Sequence, residues 1–196
     1  MIPIHPRQIP GRWRLGYALD LHTVSSTFLG HDDLGHPTFD TRRSEVGELL
    51  YRLKYSGDQS VVPEIAETAA DFLRRWALPL DLVVAVPPSK PRSVQPVHLL
   101  ATELGRRLGV PFSRDLVTRT RAVPELKGIF EYDDRMKALD GAHAVASGAV
   151  RGRRVLLFDD LYRSGATMNA VADTLYAQGG AADVLALTIT ATRSHR

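Results

Sequence analysis

The sequence predicts an α/β protein built on a doubly wound parallel sheet with helices on both faces. Three observations predict it. Two short runs, residues 82–86 (Leu-Val-Val-Ala-Val) and 155–158 (Val-Leu-Leu-Phe), are apolar throughout, as strands covered on both faces are. Segments with apolar residues at helical spacing lie between and after them. The two patterns alternate over most of the chain, the order that crossover connections of a parallel sheet require.

The N-terminal stretch follows a different rule. Residues 12–19 alternate, with Trp13, Leu15, Tyr17 and Leu19 on one side and Arg12, Arg14, Gly16 and Ala18 on the other, a half-buried strand. Residues 22–30 read as a second strand, residues 30–37 as the turn after it and residues 38–41 as a third. Together they predict an antiparallel meander, so that residues 1–43 form a small N-terminal β appendage and residues 44–196 the α/β domain. His22, His31, Asp32, Asp33 and His36 could be drawn as a metal cluster. No cysteine and no helical His spacing supports one, and a polar hairpin turn is the preferred reading.

The α/β part opens with an amphipathic helix over residues 44–55, capped by Ser44 and turning Val46, Leu49, Leu50 and Leu53 inward. A second helix over residues 63–76 presents Ile65, Ala69, Phe72 and Trp76 to the core. After the strand at 82–86, the loop Pro87-Pro88-Ser89-Lys90-Pro91-Arg92-Ser93 brings two cations to the carboxyl edge of the sheet, where ligands bind in such folds. The helix that follows carries Val94, Val97, Ala101, Leu104 and Leu108 on one face and closes at Gly109. Residues 110–117 read as a shorter strand and residues 119–128 as a loop of mixed polarity. Residues 142–145 and 183–190 supply two further strands.

Length and composition bound the function. With 196 residues and 44% hydrophobic content, the chain suits one domain with a sizeable core and a small appendage. No run is long enough for a membrane span, and residues 1–6 lack the apolar centre of a signal peptide. There is no cysteine, so disulfides are excluded and a cytoplasmic location is the default expectation. A net charge of +3 fits an acidic small ligand and also permits weak contact with single-stranded nucleic acid. Between residues 90 and 127 eight Lys or Arg face three acids, a local excess that sharpens the first of these.

The chemistry concentrates in Val155-Leu156-Leu157-Phe158-Asp159-Asp160-Leu161-Tyr162-Arg163-Ser164-Gly165-Ala166-Thr167. A buried strand ends on two acids, a turn of small residues follows, and from Thr167 the spacing is helical. Such a turn offers free backbone N–H groups at the positive end of a helix dipole, a seat for phosphate. Gly165 lets the backbone curl around an anion, and Ser164 and Thr167 add hydroxyl donors. Asp159 and Asp160 suit the hydroxyls of an attached sugar, or a metal held through those hydroxyls. The stretch describes a site for a phosphorylated sugar.

This stretch resembles the loop that binds 5-phosphoribosyl-1-pyrophosphate (PRPP) in type I phosphoribosyltransferases: an apolar run, two acids, two residues, a small hydroxyl residue, Gly, any residue and Thr. The departure is Arg163, which stands where members of the superfamily usually carry Thr. Within the superfamily the chain looks most like the competence protein F (ComF-like) group, from about Gly47 to Arg193. Leu50-Tyr51-Arg52-Leu53-Lys54-Tyr55, the Val86-Pro87-Pro88-Ser89 loop and residues 119–135 support this. The cysteine zinc module with which many members of that group begin is absent. The resemblance implies a phosphoribosyltransferase that releases pyrophosphate on transfer to a nitrogenous acceptor, with a mobile flap near residues 119–135 and with Mg²⁺ bound mainly through PRPP, in part by Asp159. It implies that Asp159 and Asp160 address the ribose and that Arg163, Ser164, Gly165, Ala166 and Thr167 wrap the 5′-phosphate. Ser89, Lys90, Arg92 and Lys127 would then hold pyrophosphate, with Arg119 and Arg135 also reaching the ligand; Lys127 counts with the two acids as catalytic. Lys54 serves either the dipole of its helix or the pyrophosphate. The N-terminal appendage would pack on the core or cover the base pocket, and a homodimer is compatible with all of this. A non-catalytic PRPP or nucleotide sensor, or a DNA-handling accessory, is the competing expectation, and an unrelated nucleotide fold the third.

Overall fold

The structure, a computed structural model, describes residues 2–88, 94–123, 128–129 and 131–193. In chain order its elements are β1 (Arg7–Gln8), β2 (Leu15–Leu21), β3 (Thr23–His31), β4 (Pro37–Arg43), α1 (Glu45–Tyr55), α2 (Val62–Arg74), β5 (Leu82–Ala85) and α3 (Pro96–Leu108). Then follow β6 (Phe112–Ser113), β7 (Thr118–Arg119), α4 (Tyr132–Leu139), β8 (His143–Ala144), β9 (Arg154–Tyr162), α5 (Ala166–Ala177) and β10 (Asp183–Ala191).

The two apolar runs lie side by side at the centre of a six-stranded sheet of order β1-β2-β10-β9-β5-β6. Val83 is in register with Leu156 and Ala85 with Phe158, and the pairing is parallel. β10 runs parallel to β9 on its other side. One face, with Phe158, Leu156 and Leu187, packs against α1, α2 and α3 through residues such as Leu50, Ile65 and Leu104. The other, with Leu157 and Val155, packs against Val171, Ala172 and Leu175 of α5. The sheet is therefore covered on both sides, which is why its central strands can be apolar at every position. Local signals hold where they were read. Ser44 Oγ accepts the Gly47 N–H at 3.1 Å to cap α1, and Gly109 closes α3 at φ +66°.

The expected N-terminal antiparallel appendage is present as the β3–β4 hairpin, but the strand before it does not join it. β2 pairs in parallel with β10, Leu15 opposite Leu185 and Leu21 opposite Ala191, and so belongs to the central sheet; β1 adds antiparallel at its edge. Only β3 and β4 make a separate antiparallel hairpin, its tip at residues 32–36. The misleading signal was the small-residue side of the alternation. Gly16 is small because the indole of Trp13, from the bend before β2, lies over it: a Cβ at Gly16 would sit 2.2 Å from Trp13 Nε1. Ala18, on the same side, and Leu19, on the other, are both fully buried.

Two further differences concern residues 110–142. The strand expected at 110–117 shrinks to β6, two residues pairing with the edge of β5. The segment beyond residue 130 holds the helix α4, whose only buried residue is Leu139, so its apolar periodicity is too weak to read. No helix among the described residues is long and apolar enough to cross a membrane.

Candidate functional site

β9 extends four residues past the apolar run, carrying Asp159 and Asp160 to the carboxyl edge of the sheet. Strand alternation sends them to opposite faces, Asp160 with Phe158 toward the α1 side and Asp159 with Leu157 toward the α5 side. Both line one cavity of about 270 Å³, together with Lys54, Pro87, Pro88, Arg119, Arg163 and Thr167. Both residues are part exposed, Asp159 being the more desolvated at its carboxyl.

The electrostatics of the two acids differ. Lys54 Nζ lies 2.9 Å from Asp160 Oδ2, with both side chains 16% exposed. Asp159 Oδ1 accepts the Asp160 backbone N–H at 2.8 Å. Burial, and then the charge of Asp160, push the Asp159 carboxyl up to about 8, against the opposing pull of that N–H and of Lys54. His22 stands nearby, its Nδ1 3.3 Å from Thr190 Oγ1. Burial first, then the charges of Lys54 and Arg43, hold its pKa below the ordinary imidazole value.

The turn after β9 has the form of an anion seat. Gly165 adopts φ +74° at the N-cap of α5, a conformation that favours glycine, and a Cβ there would meet the Tyr162 ring at 2.7 Å. The Tyr162 hydroxyl donates to the Pro10 carbonyl at 2.9 Å, and its ring meets Trp13 edge-on, so the N-terminal segment braces the turn. Within α5 the Asn169 N–H donates to the Gly165 carbonyl. Among the described residues none accepts a hydrogen bond from the amides of Ser164, Gly165, Ala166 or Thr167. From the N-cap Gly165 on, those amides are orphan donors of a twelve-residue helix, whose first turn carries the cavity-lining Thr167.

Arg119 enters the cavity from β7, opposite His143 of β8. Its Nε has no partner among the described residues, and burial lowers its pKa from the ordinary guanidinium value. His143 is buried beneath it, with both ring nitrogens unpartnered among the described residues; burial and the Arg119 charge bring its pKa down to about 4. The pair is therefore one cation on a neutral imidazole.

Of the site residues expected from sequence, Asp159, Asp160, Arg163, Thr167 and Arg119 line the same cavity, and Ser164, Gly165 and Ala166 form the turn at its edge. Ser89, Lys90, Arg92 and Lys127 lie outside the described residues. Arg135 does not line the cavity; its Nε donates to the Ile129 carbonyl at 2.6 Å. Sequence reasoning left Lys54 between two roles and missed His143 and the Tyr162 brace. For Lys54 the signal was a cation in the last turn of an amphipathic helix; His143 gave none, because a lone His in a short strand has no pattern.

No family model matches the chain, and no curated protein matches it. Solved structures do. An adenine phosphoribosyltransferase from Saccharomyces cerevisiae is 14% identical with a TM-score of 0.47, over 86% of this chain and 84% of its own. The glutamine PRPP amidotransferase of B. subtilis is 19% identical with a TM-score of 0.49, over 80% of this chain and 34% of its own. A hypothetical protein from Neisseria gonorrhoeae with bound ppGpp is 16% identical with a TM-score of 0.43, over 70% and 73%. Likenesses at this level assign neither substrate nor activity.

Proposed function

We propose that the protein is a type I phosphoribosyltransferase, of the ComF-like kind without the cysteine module, acting on PRPP and a nitrogenous acceptor. One observation carries the reading: the turn at the N-terminus of α5, whose amides have no acceptor among the described residues, borders through Arg163 and Thr167 the cavity that Asp159 and Asp160 also line. Lining by both groups suits a ligand with a phosphate at one end and hydroxyls at the other. The 5′-phosphate takes the turn from Arg163 to Thr167 and the ribose takes the two acids. The C1–O bond to pyrophosphate then breaks, its electron pair leaving with pyrophosphate. The acceptor nitrogen forms the C1–N bond and gives up its proton. Asp160, and Asp159 once it has lost its proton, stabilise positive charge developing on the sugar, and Arg119 adds positive charge for the departing group.

Asp160, and Asp159 once deprotonated, offer the cavity the hard oxygen donors that Mg²⁺ takes. Among the described residues no three His, Cys, Asp or Glu gather as a metal group, so Asp159 would share the ion with the ligand's own oxygens. There it would spread the charge of the leaving pyrophosphate.

The test is pyrophosphate release from PRPP with Mg²⁺ and a panel of free bases. We expect release with at least one base, and its loss by about a hundredfold or more in Asp160→Asn. The exposed Arg163 in place of a hydroxyl residue favours a second reading, a PRPP or nucleotide sensor that does not turn over. Tight PRPP binding with no pyrophosphate released across the panel would select it, and salt-dependent binding of a single strand would extend it to nucleic acid.

A further inference from the structure

Lys54 is the last-turn cation of α1, and three observations separate it from an ordinary helix-end lysine. The end of α1 is served by others: the Ser56 N–H donates to the Arg52 carbonyl at 3.0 Å. Arg52 turns away to Asp58, with Nη2 at 2.6 Å. Lys54 itself reaches across to β9 and ends 2.9 Å from Asp160, only 16% exposed. It lines the same cavity as Pro87 and Pro88, which follow β5.

Arg119 lines the same cavity, but Lys54 is the cation paired with Asp160, and the cations around Lys54 do not take its place. Arg43 is engaged by Glu48 at 3.2 Å and stacks over the Tyr51 ring at 3.7 Å. His22 is shifted toward its neutral form. Arg163 is exposed. Lys54 is thus the ammonium set against the carboxylate to which the reading above assigns the ribose, and the present inference rests on that reading.

We propose that Lys54 makes the cavity selective for ribose phosphates that carry a second anion at C1. A ribose hydroxyl that takes Asp160 displaces the ammonium from its partner. In a half-closed cavity an ammonium stripped of its counter-charge is costly. A sugar with a pyrophosphate at C1 replaces the lost carboxylate with its own oxygens, and the ion pair is exchanged for another. A sugar phosphate with a bare C1 hydroxyl brings no such charge and must leave Lys54 unpaired or share Asp160 with it. The ion pair is a toll that only a doubly anionic ligand recovers.

The test is calorimetric titration of ribose 5-phosphate and of PRPP, at one pH and one Mg²⁺ concentration, into the wild type and into Lys54→Met and Lys54→Gln. Circular dichroism and urea unfolding establish that each variant is folded, and two different neutral side chains guard against one that packs badly. We expect both variants to bind PRPP about tenfold or more weakly, the loss of a charge-assisted contact. Ribose 5-phosphate should bind as well as to the wild type or better, so that discrimination between the two ligands collapses. Equal weakening of both ligands would overturn the proposal, because Lys54 would then only hold Asp160 in place. No change for either ligand would overturn it as well. If the wild type binds neither ligand, the assignment of the acids to ribose fails, and this inference with it; unaltered discrimination in both variants fails the role of Lys54 alone.

Discussion

Asp159 and Asp160 are adjacent, alike in sequence and unlike in charge. Lys54 pairs with Asp160, whereas Asp159 is desolvated and its carboxyl is held up to about 8 against an ordinary 3.8. The folded chain therefore keeps a proton on Asp159 that the unfolded chain releases above 3.8. The stability linked to that proton is full below 3.8, falls as pH rises through the window to about 8, and is lost above it. Asp159→Asn cannot titrate, so its stability relative to the wild type should grow across that window. Urea denaturation of both proteins as a function of pH checks this, and a constant difference would refute the raised carboxyl. Two acids followed by a small-residue turn were legible in sequence because their chemistry is local. Which of them meets a cation was not, because Lys54 lies more than a hundred residues earlier and arrives only when α1 packs on the sheet.

At the scale of elements, α5 is held by a single amide side chain on two sides. Asn169 Oδ1 accepts the Arg12 N–H at 2.7 Å, and its Nδ2 donates to the Tyr132 hydroxyl at 2.7 Å. Asn169 is 5% exposed and so ties the N-terminal segment and α4 to the helix that presents the phosphate seat. Asn169→Ala would leave the Arg12 N–H and the Tyr132 hydroxyl without this partner, and should cost about 1–3 kcal/mol. Hydrogen exchange should rise in α4, which has one buried residue of its own, more than in α2. Urea unfolding and exchange measured by mass spectrometry test the two parts. In sequence, Asn169 is one polar residue in a helix whose apolar face was read correctly; nothing local marks it as a bridge. α4 escaped for the complementary reason, a helix stabilised by contacts with α5 more than by an apolar stripe.

For the whole molecule the consequential fact is that the chain's first long strand lies inside the main sheet. Removing residues 2–43 would strip β2 from β10 and uncover Leu187 and Ile189, both fully buried. That variant should lose its cooperative unfolding transition. The hairpin alone is separable. Thr23 and Arg43 are partners across its base, and Ser44 Oγ donates to the Leu21 carbonyl, so the ends left by its excision are adjacent. Replacing residues 24–42 with a short glycine turn should retain the fold, with a melting temperature lowered only slightly; thermal unfolding followed by circular dichroism distinguishes the two deletions. The apolar strands, the amphipathic helices with their caps, the hairpin, and the acid–turn–helix order of the site could all be read from the chain, since each is written in neighbouring residues through periodicity or turn chemistry. That β2 joins β10, that Trp13 explains the glycine beneath it, and that Lys54 and Arg119 meet Asp159 and Asp160 around one cavity follow from long-range packing. Those outcomes depend on which distant surfaces bury each other, and no local pattern encodes a partner a hundred residues away.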